Sequence, residues 1–178
     1  MNYFIQSLTY FRIFIAPIIF LLITLYNSYT LAIFLFFLAS ISDYWDGFLA
    51  RKYNLESTIG AVLDPIADKI LITFLILALS IELSSVFIGM TGGLILVREF
   101  WVGALRDYNA RNGNSNATEV TLLAKIKTST QLITFSSYLF GLALNSSLIL
   151  FISNFFLFLA FIITFKTGLS YTVATFKR

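Results

Sequence analysis

Asp43-Tyr44-Trp45-Asp46-Gly47-Phe48-Leu49-Ala50-Arg51, followed by Gly60, Asp64 and Asp68, is the stretch on which the fold turns. Asp43 and Asp46 are spaced i, i+3, and Asp64 and Asp68 are spaced i, i+4. On an α-helix each pair shares one face. The surroundings say where such helices stand. Ile13–Ser42 contains no Asp, Glu, Lys or Arg, and neither does Thr128–Phe165. A water-exposed domain spreads charge along its length to cover its surface. Charge-free runs of this kind are explained by hydrocarbon as the solvent. The mean hydropathy of +0.87 and a charged fraction of 12% agree.

Polar or turn-prone clusters at Tyr26–Thr30, Arg51–Ser57, Glu82–Ser85, Arg111–Thr118 and Asn145–Ser147 divide the chain. The intervals approach the roughly 20 residues a helix needs to cross about 30 Å of hydrocarbon. Six transmembrane helices are expected near 5–26, 30–51, 57–81, 85–110, 118–144 and 147–170, in an all-α bundle forming a single domain over 1–178. The first apolar run is longer than a signal-peptide core and lacks a small-x-small cleavage site. It is expected to remain as the first span. With six spans the breaks alternate sides. The breaks around residues 26–30, 81–85 and 145–147 hold no Lys or Arg, and the twelve basic residues fall on or toward the other side. The positive-inside rule makes that side cytoplasmic, with both termini there. The expected location is a bacterial-type inner membrane. The pI of about 9.2 then reports topology and lipid headgroups, and no basic module for nucleic acid is seen.

The chain has no Cys and no His. Disulfides are excluded, and so are the usual zinc ligands and the usual general base. Acid–base and metal chemistry fall to carboxylates, which favour Mg2+ or Mn2+. The second and third helices are consecutive and antiparallel, so Asp43, Asp46, Asp64 and Asp68 come to similar depth near the cytoplasmic side. An Asp near a bilayer centre costs about 2.5–3.5 kcal/mol, and four together also repel. Two divalent ions would neutralise them, and a metal pair is a known device for phosphoryl transfer. Gly47, Ala50 and Gly60 are small where a bulky ligand and a neighbouring helix must approach closely. Interfacial or capping carboxylates would explain one Asp; four at helical spacing beside three small residues and Arg51 are explained by a site. A carboxylate-lined cation channel or transporter would account for the Asp residues, but not for the Gly and Ala positions.

The fourth and fifth helices carry Arg98, Glu99, Arg106, Lys125, Lys127 and Gln131. Arg98 and Arg106 are two turns apart, hence roughly on one face. Arg98, Arg106, Lys125 and Lys127 are read as an anion pocket suited to a phosphate, Arg gripping oxygens bidentately and Lys as a point charge. Lys52, Arg111, Lys177 and Arg178 are read as flanking cations that reach lipid phosphates.

These residues resemble the CDP-alcohol phosphotransferases, whose signature is D-x2-D-G-x2-A-R-x8-G-x3-D-x3-D. Asp43, Asp46, Gly47, Ala50, Arg51, Gly60, Asp64 and Asp68 fill each position at the right spacing. The resemblance implies a six-helix membrane enzyme, usually homodimeric, with its site open to the cytoplasm. It implies that Asp43, Asp46 and Asp64 hold two divalent ions. Asp68 would contribute to the metal site and act as general base, and Gly47, Ala50, Arg51 and Gly60 would line the CDP-lipid pocket. Arg98-Glu99-x6-Arg106 and Lys125-Ile126-Lys127-Thr128-x2-Gln131 are similar to the branch that makes phosphatidylglycerol phosphate. So is Ser7-Leu8-Thr9-Tyr10-Phe11-Arg12 with Pro17. Ala124 and Gln6 stand where Gly and Asn are usual in that branch. CDP-diacylglycerol and glycerol 3-phosphate are then the expected substrates. A phosphatidylglycerol or inositol acceptor is the alternative within the family.

Overall fold

The computed structural model describes residues 2–53, 58–114, 118 and 122–177. Six helices account for nearly all of them: α1 (Asn2–Thr24), α2 (Tyr29–Tyr53), α3 (Thr58–Glu82), α4 (Val86–Arg111), α5 (Leu122–Ala143) and α6 (Ser147–Phe176). No strand occurs among the described residues. Among the described residues, three helices are long and apolar enough to cross a membrane: Ser7–Thr24, Val86–Arg111 and Ser147–Phe176. The other three carry Asp43 and Asp46, Asp64 and Asp68, or Lys125 and Lys127. Gly47, Ala50, Arg51 and Lys125 belong to α2 and α5 by backbone, but their side chains lie outside the described residues.

Three turns are tight and share one device. Asn27, Ser84 and Asn145 adopt positive φ of 50°, 45° and 48°. A left-handed residue just past a helix end lets the next N–H reach back to an orphan carbonyl. Ser85 N–H donates to the Ser80 carbonyl at 3.0 Å, and Ser146 N–H to that of Gly141 at 2.9 Å. The Ser146 hydroxyl then caps α6 by accepting from the Ile149 N–H.

The chain forms two compact units, Met1–Ser85 with Leu142–Leu144, and Val86–Gly141 with Asn145–Arg178. In the first, α1 packs on both α2 and α3. Ile15, Ala16, Ile19 and Ile23 of α1 are buried at helical spacing, as are Ala32, Phe36 and Ala39 of α2, and Leu71, Leu75 and Leu79 of α3. Between helices in lipid the gain comes from close van der Waals contact, which the interleaved alanines permit. In the second unit α4 packs on α6. Their seam is partly polar. Arg98 donates to Thr167 at 2.6 Å, Trp101 to Thr172 at 2.9 Å and Asn109 to Thr175 at 2.8 Å. Partner numbers rise together along both helices, so the two run parallel. Interhelical polar contacts of this kind hold helices where the hydrophobic effect does not.

Candidate active site

The four signature aspartates meet in the first unit, and they meet on an arginine. Arg12 of α1 is 0% exposed. Its Nη1 donates to Asp43 and, at 2.6 Å, to Asp68. Its Nη2 donates to Asp46 at 2.5 Å and lies 3.4 Å from Asp64. Asp64 is also held by the Thr9 hydroxyl at 2.7 Å. Thr9 and Arg12 stand one turn apart on α1, so one helix face supplies both donors. The helical spacing of the Asp pairs therefore does bring all four to one point. Gly60 lies on α3 one turn before Asp64.

Burial differs around the cluster. The Asp46 side chain is 3% exposed, while those of Asp43 and Asp68 are 50% exposed. Asp46 is thus a fixed inner carboxylate, and the other two are open to a ligand. The donor set fits a hard divalent ion: it is oxygen-only, comes from two helices, and gathers within bonding distance of one guanidinium. Among the described residues, no three carboxylates are already spaced around one common ion position. They are spaced around Arg12.

An apolar groove of about 340 Å³ runs beside the cluster, lined by Leu8, Phe11, Leu38, Ile41, Trp45 and Leu49. Phe11 precedes Arg12, and Trp45 precedes Asp46. One residue along a helix turns about 100°, so the same turns that aim charge inward present apolar side chains to the groove.

The second unit holds a separate polar cluster. Arg98 is 7% exposed, and its guanidinium contacts Glu99 at 3.1 Å and Thr167 at 2.6 Å. Lys127 of α5 donates to the same Glu99 carboxylate oxygen at 2.7 Å. Glu99 thus bridges the two cations, holding them close on neighbouring helices. Gly168 lies against the Arg98 side chain, where a Cβ would come 2.9 Å from Arg98 Cγ and 3.0 Å from Nε. Arg106 is exposed, its guanidinium carbon 6.0 Å from the centre of the Tyr171 ring. Of the expected phosphate ligands, Arg98 and Lys127 are brought together; Arg106 leans on Tyr171 of α6, and Lys125 lies outside the described side chains. Gln131 is buried further along α5.

The profile of the CDP-alcohol phosphatidyltransferases matches residues 6–166 of this sequence. The chain belongs to that family. Relatives named CDP-diacylglycerol--glycerol-3-phosphate 3-phosphatidyltransferase are similar to it. That of Wigglesworthia glossinidia brevipalpis is 34% identical over 168 residues, covering 92% of this chain and 90% of the relative. That of Blochmanniella floridana is 38% identical over 128 residues, 71% of this chain and 67% of the relative. That of Escherichia coli K12 is 31% identical over 129 residues, 71% and 70% respectively. As a CDP-alcohol phosphatidyltransferase, the chain carries its family signature on the two helices that hold the aspartates. Thr9 and Arg12 lie outside that signature. Their signal was present all the same: Arg12 is the sole charge in the first 42 residues, and an ionisable group in an apolar helix marks a site. Thr167 and Gly168 lie beyond the matched stretch, on a helix whose composition says nothing of their role.

Proposed function

We propose that this chain transfers the phosphatidyl group of CDP-diacylglycerol to sn-glycerol 3-phosphate, giving phosphatidylglycerol phosphate and CMP. The observation that carries this reading is the gathering of Asp43, Asp46, Asp64 and Asp68 at one point of α1–α3. The relatives' shared name supports the choice of substrates. The proposed setting is a bundle of six spans with its site open to the cytoplasm and both termini on that side.

In this reading Asp43, Asp46, Asp64 and Asp68 hold two divalent ions, Mg2+ or Mn2+. Bound ions supply Lewis acidity, drawing charge from the diphosphate of the donor. The acyl chains of the donor lie along the groove beside Phe11 and Trp45, and the signature positions Gly47, Ala50, Arg51 and Gly60 are assigned to its CDP head by the family resemblance. Arg98, Arg106, Lys125 and Lys127 hold the phosphate of the acceptor by charge-assisted hydrogen bonds. Asp68 accepts the proton of the acceptor's primary hydroxyl. The oxygen forms a bond to the lipid-bearing phosphorus, the bond from that phosphorus to CMP breaks, and CMP leaves with the electron pair.

The test is an acceptor screen. Purified protein with labelled CDP-diacylglycerol and Mg2+ is offered glycerol 3-phosphate, serine, inositol phosphate or phosphatidylglycerol. CMP release with glycerol 3-phosphate alone supports the assignment. Release with another acceptor reassigns it within the family. Cation flux in liposomes without CMP release supports the channel reading instead.

A further inference from the structure

We infer that Arg12 is a positioning residue, the resting counter-ion of the four aspartates, and that divalent metal loads the site by displacing its guanidinium. The inference rests on the reading of this cluster as a metal site and goes on to say how that site stays assembled before metal arrives.

Four features carry it. First, the guanidinium occupies the point at which the carboxylates converge: its two terminal nitrogens reach all four. A cation bound by the same oxygens competes with the guanidinium for them. Second, the residue is fully buried, while Asp43 and Asp68 each keep half of their side-chain surface exposed. Asp43 and Asp68 therefore offer metal an exposed approach, while the guanidinium between the carboxylates is shielded. Third, Nε of Arg12 is buried and makes no hydrogen bond among the described residues. Among the described residues the fork is tied down by the carboxylates alone, and releasing it breaks no other polar contact there. Fourth, one positive charge against four negative ones leaves the cluster short of neutrality, which favours exchange for ions of higher charge. Without Arg12, four like charges from α2 and α3 repel one another where they converge beside α1. With it, both helices are drawn to α1.

The test uses the full chain in nanodiscs and does not depend on turnover. Thermal unfolding is followed in chelator and across a Mg2+ titration, with Mn2+ binding followed by its paramagnetic signal. Arg12→Gln is expected to lower the Tm in chelator by roughly 5–15 °C, because buried carboxylates lose their partner. It is also expected to lower the half-saturating metal concentration by about tenfold, because a competing cation has gone. A merely structural role predicts the reverse, since a loosened site binds metal less well. Arg12→Lys keeps a charge but loses the fork, and its half-saturating concentration is expected between those of wild type and Arg12→Gln. This second variant decides the matter if Arg12→Gln does not fold. A half-saturating concentration that is unchanged or raised in the variant overturns the inference while leaving the metal site standing. A wild-type chain that neither binds Mn2+ nor gains Tm with Mg2+ overturns the metal site itself.

Discussion

Gly168→Ala separates the acceptor pocket from the stability of the helix that seats it. The new Cβ comes 2.9 Å from Arg98 Cγ and 3.0 Å from Nε, too close for either atom. The Arg98 side chain must retreat by roughly half an ångström to reach ordinary contact. It is pinned by the 2.6 Å bond to Thr167 and the 3.1 Å contact with Glu99, so the retreat stretches both. A charge-assisted bond contributes about 1.5–3 kcal/mol. Losing half of one corresponds to a rise in KM for glycerol 3-phosphate of roughly four- to twelvefold. The KM for CDP-diacylglycerol is expected to stay within about twofold, since the proposed role of Arg98 is toward the acceptor. Replacing Gly by Ala within a helix meanwhile favours the fold by up to about 1 kcal/mol. Overpacking against Arg98 opposes that gain, so the variant is expected to keep its Tm within a few degrees while losing acceptor affinity. Steady-state kinetics with each substrate varied in turn, beside a melting curve, read both quantities. An unchanged acceptor KM in a well-folded variant refutes the assignment of Arg98 to the phosphate. A raised donor KM with an unchanged acceptor KM moves Arg98 to the CDP-lipid.

Further outcomes follow from the same geometry. Excess chelator is expected to abolish CMP release and added Mg2+ to restore it; full release in chelator refutes the metal reading. Asp68→Asn is expected to lower kcat by about 10²–10⁴-fold while CDP-diacylglycerol still binds, measured by single-turnover kinetics and ligand binding. Near wild-type kcat in that variant assigns the proton to another group. Arg106→Ala is expected to raise the KM for glycerol 3-phosphate by roughly tenfold, the lower end of a charge-assisted contact, because its guanidinium is exposed. Ser84→Gly is expected to stabilise the fold by about 0.5–1 kcal/mol, because Ser84 sits at φ 45° where glycine has no steric penalty. Ser84→Val is expected to lower the Tm, and equal melting of the two variants refutes strain at that turn.

The helices were legible because their causes are local. Charge-free runs and turn-prone breaks place each one, and α1 to α4 begin and end within about three residues of the expected positions. The end of α6 was not. The expected end lies near residue 170, yet the helix continues to Phe176, where Tyr171, Thr172 and Thr175 pack or bond along α4. The aspartate cluster was legible because i, i+3 and i, i+4 spacings on consecutive helices settle it. Arg12 stood out as a lone charge, but its pairing was not legible, because it meets the aspartates across sequence separations of 31 to 56, which no local pattern encodes. The seat of Arg98 was hidden for the same reason: Thr167 lies 69 residues away on a helix that reads as plain membrane span.

The Arg12 cluster also bears on how the chain is made. A lone arginine in an apolar first helix reaches the headgroups only while that helix remains free to shift. Its carboxylate partners all emerge by residue 68, before any of α4 has left the ribosome. At about 5–20 residues per second, the interval between Arg12 and Asp68 lasts seconds. The first three helices can therefore pair their charges during synthesis, and the nascent chain need not carry an unmatched cation and four unmatched anions in lipid while the second half is translated.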